Sequence, residues 1–86
     1  MADKQVLRNW LRDALEANGG RASLIQVCKY IWHEHESELR DSGDLFFTWQ
    51  YDVRWAATAL RHEGVMRPAT TSPSGIWELS SDLQSV

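Results

Sequence analysis

Apolar positions recur at helical spacing over residues 4–18, where Val6, Leu7, Trp10, Leu11, Ala14 and Leu15 fall on one side and charged residues on the other. Gly19 and Gly20 end that pattern, as expected where a helix closes through left-handed backbone. The pair Ser23 and Gln26 has the spacing of a capping box: the serine oxygen accepts from a helix N–H and the glutamine reaches back to the serine N–H. A second helix therefore starts there, with Leu24, Val27, Cys28 and Ile31 as its buried stripe. The polar run over 33–40 predicts a last turn or two in solvent, broken by Ser42 and Gly43. Leu45, Phe46 and Phe47 form an apolar plug ahead of Thr48, which reads as the N-cap of a third helix over 49–63 that stops at Gly64. On that helix Trp49, Val53, Ala56, Ala57 and Leu60 share one face.

Residues 65–67 and 75–79 have strand-like composition, and the Pro- and Ser-containing stretch 68–74 between them reads as a hairpin loop. Arg21 and Ala22 stand where a short strand would fit but are too few to signal one. The order of elements predicts an α+β fold, a winged helix-turn-helix: three helices followed by a two-stranded β-hairpin wing. One domain spans residues 1–80, with a frayed tail over 81–86.

Length agrees with one core, because 86 residues divided in two would leave each half below the usual size for independent stability. The 43% apolar content and five tryptophans suffice to fill it. No apolar run approaches the roughly 18 residues of a membrane span, and the N-terminal residues lack the apolar stretch of a signal peptide. A cytoplasmic protein with no membrane partner is expected. The lone Cys28 lies among apolar residues and is expected in the core.

Charge complicates a nucleic-acid reading, since the net charge is −3 and most affinity for DNA comes from neutralising phosphates. The distribution is uneven. Residues 45–67 hold three Lys/Arg against two Asp/Glu, while residues 21–44 hold three against five and residues 68–86 none against two.

The run from Tyr51 to Pro68, with Val53, Trp55, Ala56, Leu60, Gly64, Arg67 and Pro68 at its key positions, closes on Gly75-Ile76-Trp77-Glu78-Leu79. It resembles the N-terminal winged-helix domain of Mrr-type restriction endonucleases, and the Ser23-Leu24 start of helix two and the Phe before helix three extend the likeness over roughly residues 5–80. The resemblance implies a DNA-targeting module beside a nuclease domain, fused or separate, for which this chain has no room. The wing here is longer and neutral where related domains often carry arginines.

In a helix-turn-helix the second helix of the motif enters the major groove and reads base edges from its outward face. The expected DNA-binding residues are Thr48, Gln50, Tyr51, Arg54, Thr58 and Arg61 on that helix, and Arg67, Thr70, Thr71, Ser72 and Ser74 on the wing. Gln suits adenine and Arg suits guanine, which makes Gln50 and Arg54 the base readers; Arg61 and the wing hydroxyls would meet phosphate, joined by Arg21 and Lys29. Asp52 would repel phosphate unless it pairs with Arg54 or accepts from cytosine. Trp55 fits either beneath helix one or at a partner surface. His33-Glu34-His35 lacks a third ligand at fixed spacing, so no metal or cofactor is expected, and no nucleophile, phosphate loop or nuclease carboxylate set is recognisable. The expected function is non-catalytic binding of double-stranded DNA, with helix 49–63 in the major groove and wing 67–76 on the backbone or minor groove. The alternative is a winged helix used for protein interaction or as a homodimer, for which the acidic stretch Glu34, Glu36, Glu38, Asp41 and Asp44 offers a surface.

Overall fold

The computed structural model describes residues 3–80, so the expected frayed tail over 81–86 lies outside the described residues. In chain order the elements are α1 (Val6–Ala17), β1 (Arg21–Ser23), α2 (Leu24–Arg40), α3 (Leu45–His62), a short 3-10 turn (Ala69–Thr71) and β2 (Ile76–Glu78). This is an α+β domain of three helices and a small two-stranded antiparallel sheet. None of the described helices is long and apolar enough to cross a membrane.

Local hydrogen bonding explains where the helices stop. Gly19 N–H donates to the Glu16 carbonyl and Gly20 N–H to the Leu15 carbonyl, with both glycines at positive φ. These are the paired bonds of a Schellman motif, which satisfies carbonyls that the helix end would leave orphaned. The same pair recurs after α3, from Gly64 N–H to Arg61 and from Val65 N–H to Leu60. At the start of α2 the capping box is complete: Gln26 N–H donates to Ser23 Oγ at 3.2 Å and Ser23 N–H to Gln26 Oε1 at 2.8 Å.

The core is a cluster in which Leu7, Trp10, Leu11, Ala14 and Leu15 of α1 meet Trp49, Val53, Ala56, Ala57 and Leu60 of α3. Val27, Ile31 and Leu39 of α2 close the third side, and Ala22, Met66 and Leu79 seal the sheet end. Ala56 and Ala57 are fully buried or nearly so, and their small size lets α1 and α3 approach closely.

Four expectations are corrected. First, α3 begins at Leu45, not Trp49, so the 45–47 plug is its first turn and Thr48 is an interior residue instead of a cap. Leu45 is buried and draws that turn onto the core, which overrides the cap preference of Thr48. Second, the sheet is not formed by the two strands of the hairpin. The segment 21–23 forms β1 and pairs with β2 in the register Arg21↔Glu78, Ala22↔Trp77, Ser23↔Ile76. Third, the 65–67 segment joins only through the bridge Met66↔Leu79, supported by Arg67 N–H to the Glu78 carbonyl and Ser80 N–H to the Val65 carbonyl. Residues 76–79 thus lie between two neighbours, and the better-paired one is distant in sequence.

Fourth, the polar end of α2 is not all in solvent. Leu39 is completely buried, eight residues on from Ile31 and so within the span of one apolar stripe. The helix is kinked at His35 (φ −129°, ψ 21°), and this residue's ring stacks on Trp10 at 3.9 Å and 7° while its Nδ1 lies 2.8 Å from Glu38 Oε1.

The capping box generates a stability prediction. Ser23→Ala removes one acceptor and frees Gln26, and is expected to cost about 1 kcal/mol in urea unfolding with an unchanged m-value. A loss below the error of the fit would show that α2 does not depend on its cap.

Candidate nucleic-acid interface

Burying the apolar face of α3 leaves a definite outward face. Phe47, Gln50, Tyr51, Arg54 and Thr58 are all exposed, and Phe47, Tyr51, Arg54 and Thr58 repeat at intervals of four, three and four residues, as one stripe of a helix does. Gln50 stands beside it. Thr48 is exposed on the flank, where its Oγ1 donates to Asp52 Oδ2 at 2.7 Å. Asp52 is therefore occupied by a neighbour other than Arg54 and lies roughly 100° or more round the helix from the stripe.

The N-terminal halves of α2 and α3 enclose an open groove. Its floor is Leu24, Cys28, Trp32, Phe46 and Trp49, and its rim is Ile25, Lys29, Gln50, Tyr51 and Arg54. Among the described residues no carboxylate lines this groove, although the chain as a whole is acidic. Within the floor Trp32 stacks on Trp49 at 6.2 Å and 9°, and the Arg40 guanidinium lies over both Trp32 (5.2 Å) and Phe46 (5.8 Å). This cluster holds the two helices in a fixed relation at the place where they present their outer residues.

Cys28 is half-buried in the floor, not fully enclosed in the core, and burial raises its thiol above the ordinary value, while the nearby Arg54 cation pulls it back in part. Arg54 therefore sends its charge into the groove as well as outward.

Arg61 has a different setting. Its Nε donates to the Arg67 carbonyl at 3.3 Å and its guanidinium lies 5.9 Å from the Trp77 ring, so it ties the end of α3 to the base of the 67–76 segment. Arg67 is half-buried and joined to β2 through its backbone. On the 67–76 segment Thr70, Thr71 and Ser74 are exposed, Thr71 with its Oγ1 donating to the Pro68 carbonyl, whereas Ser72 Oγ is enclosed. Trp55 is half-buried against the core with Lys4 Nζ 4.6 Å from its ring centroid, which places it beside the chain leading into α1.

The structure brings Gln50, Tyr51 and Arg54 together with Lys29; Thr58 follows on the same helix stripe, and Thr48, Arg61, Arg67, Thr70, Thr71, Ser72 and Ser74 lie outside that groove. Sequence reasoning missed Ile25, Phe47 and the aromatic floor. A signal for them existed in the adjacent apolar pairs Leu24-Ile25 and Phe46-Phe47, because at about 100° per residue Ile25 and Phe47 fall well off the centre of the apolar stripe of their helix. Among the described residues no group of three or more His, Cys, Asp or Glu is placed to hold a metal ion.

The raised thiol gives a direct readout of Arg54. The pH midpoint of Cys28 alkylation, which does not depend on access, should lie above that of the unfolded chain, and Arg54→Ala should move it higher by removing the cation that favours the thiolate. A midpoint that is unchanged or lower in that variant would show that the Arg54 charge does not act on Cys28.

No family model matches the chain, and no curated protein or solved structure matches it either, so its site is read from its own residues and geometry.

Proposed function

We propose that this chain is a winged helix-turn-helix module, non-catalytic in itself, that binds double-stranded DNA in the cytoplasm. The outward stripe of α3 enters the major groove, with Gln50 and Arg54 as base readers. Lys29 meets the backbone from α2, and the 67–76 segment lies along the backbone or minor groove through Thr70, Ser74 and its backbone N–H groups. One observation carries this reading: Lys29 and Arg54 line the groove beside the α3 stripe with no carboxylate among its described lining residues. The negative residues Glu34, Glu36, Glu38, Asp41 and Asp44 sit at the other end of α2 and before α3, and Asp52 is turned aside. A targeting role beside a nuclease, as the Mrr-type resemblance implies, would need no chemistry from this chain.

A second reading, a protein-interaction or dimerisation module, is favoured by the exposure of Ile25, Phe47 and Tyr51 on the same face. It predicts binding that salt hardly affects, since apolar contacts release no counterions.

Fluorescence anisotropy with a duplex of about 20 bp separates the two. Binding at about 50 mM salt should weaken as salt rises, and Lys29→Ala should lower the log–log slope by about 1. Arg54→Ala should cost about 1–3 kcal/mol if it reads a base. Arg61→Ala should lower thermal stability, because it loosens the tie to Arg67 and Trp77. No binding to any duplex at about 50 mM salt would overturn the DNA reading.

A further inference from the structure

The face assigned to DNA carries more apolar surface than phosphate binding needs. Phe47 is 82% exposed, Tyr51 77% and Ile25 64%. Phe47 and Tyr51 are one turn apart on α3, and Ile25 of α2 and Tyr51 line the same groove. Phe47 is propped from behind by Phe46, edge to face at 5.1 Å, whose ring is in turn covered by Arg40. The apolar patch thus continues inward into the packed aromatic floor.

Seating α3 in a major groove would strip water from these side chains and from the base edges opposite them. Donors and acceptors on a base edge that lose water against a phenyl ring or an isoleucine gain nothing in return. The major-groove edge offers one apolar group, the C5-methyl of thymine. Gln50, adjacent to Tyr51 in the chain and on the same rim, carries the amide that pairs bidentately with adenine, thymine's partner. The apolar residues and the amide therefore ask for the same base pair, and Lys29 and Arg54 supply the charge that neighbouring phosphates require.

We propose that this face selects duplexes by their thymine methyl groups: Tyr51, with Phe47 and Ile25 beside it, packs on C5-methyls while Gln50 takes the adenine edge. This rests on the DNA reading above and adds the chemical group recognised. A protein partner on the same patch would show no dependence on that methyl.

The test compares two duplexes of one A·T-rich sequence, one with thymine and the other with deoxyuridine throughout, which pair identically and differ only in the methyl. The thymine duplex should bind more tightly by about fourfold for each methyl buried. Tyr51→Ala should shrink the difference to what Phe47 and Ile25 retain, whereas Tyr51→Phe, which keeps the ring, should preserve it. Both substitutions fall at an exposed position outside the core cluster, and circular dichroism verifies the fold. Equal binding of the two duplexes by the unsubstituted protein would overturn thymine recognition and leave DNA binding standing. Retention of the full difference in Tyr51→Ala would overturn the role of Tyr51, and no binding to either duplex would overturn both proposals.

Discussion

One helical period couples the inside of α3 to its outside. Trp49, Val53, Ala56, Ala57 and Leu60 occupy the inward face, and full burial of a large apolar side chain stabilises by about 1.5–3 kcal/mol. Surface pairs on a helix contribute a few tenths each, so no arrangement of exposed residues can compete with that core for the orientation of the helix. Once it is set, Phe47, Gln50, Tyr51, Arg54 and Thr58 must face out together. The carboxylate of Asp52 must stand to one side, where Thr48 is within reach. The composition of the candidate interface is in this sense a consequence of what the core demands.

The remaining contacts decide how the other elements present themselves to that helix. Arg8 and Glu63 form an ion pair between α1 and the end of α3, but both side chains are about a third or more exposed, and such a pair contributes little beside the buried leucines. The aromatic cluster matters more. Trp32, Phe46 and Trp49 close the space between α2 and α3, with Arg40 laid across two of the rings, and the kink of α2 falls at His35, whose ring stacks on Trp10. The groove lies between the two helices over this packed aromatic floor.

Much of the framework was legible in the residues. The capping box at Ser23 and Gln26 and the glycine stops at Gly19 and Gly64 are made of hydrogen bonds between residues within six positions of each other, so the chain states them locally. The core stripes of α1 and α3 were legible for the same reason, because a period of 3.6 repeats within a few turns. The candidate site was legible in part: Gln50, Tyr51 and Arg54 follow from the outward face of a helix, but Ile25, Phe47 and the shared rim with Lys29 do not.

What the sequence determined by itself is therefore where the helices are capped and closed, and which face of each is apolar. Only the tertiary structure decided that α3 starts at Leu45, that β2 pairs with the distant 21–23 segment more fully than with its hairpin neighbour, and that α2 bends at His35. Each of these depends on a partner remote in the chain. Leu45 is helical because the assembled core takes its side chain, and the short strand 21–23 carries too few residues to announce itself until β2 supplies its hydrogen bonds. The ring of His35 has Trp10 to stack on only after α1 has packed against α2. Local chemistry names the ends of the elements, and packing decides what they meet.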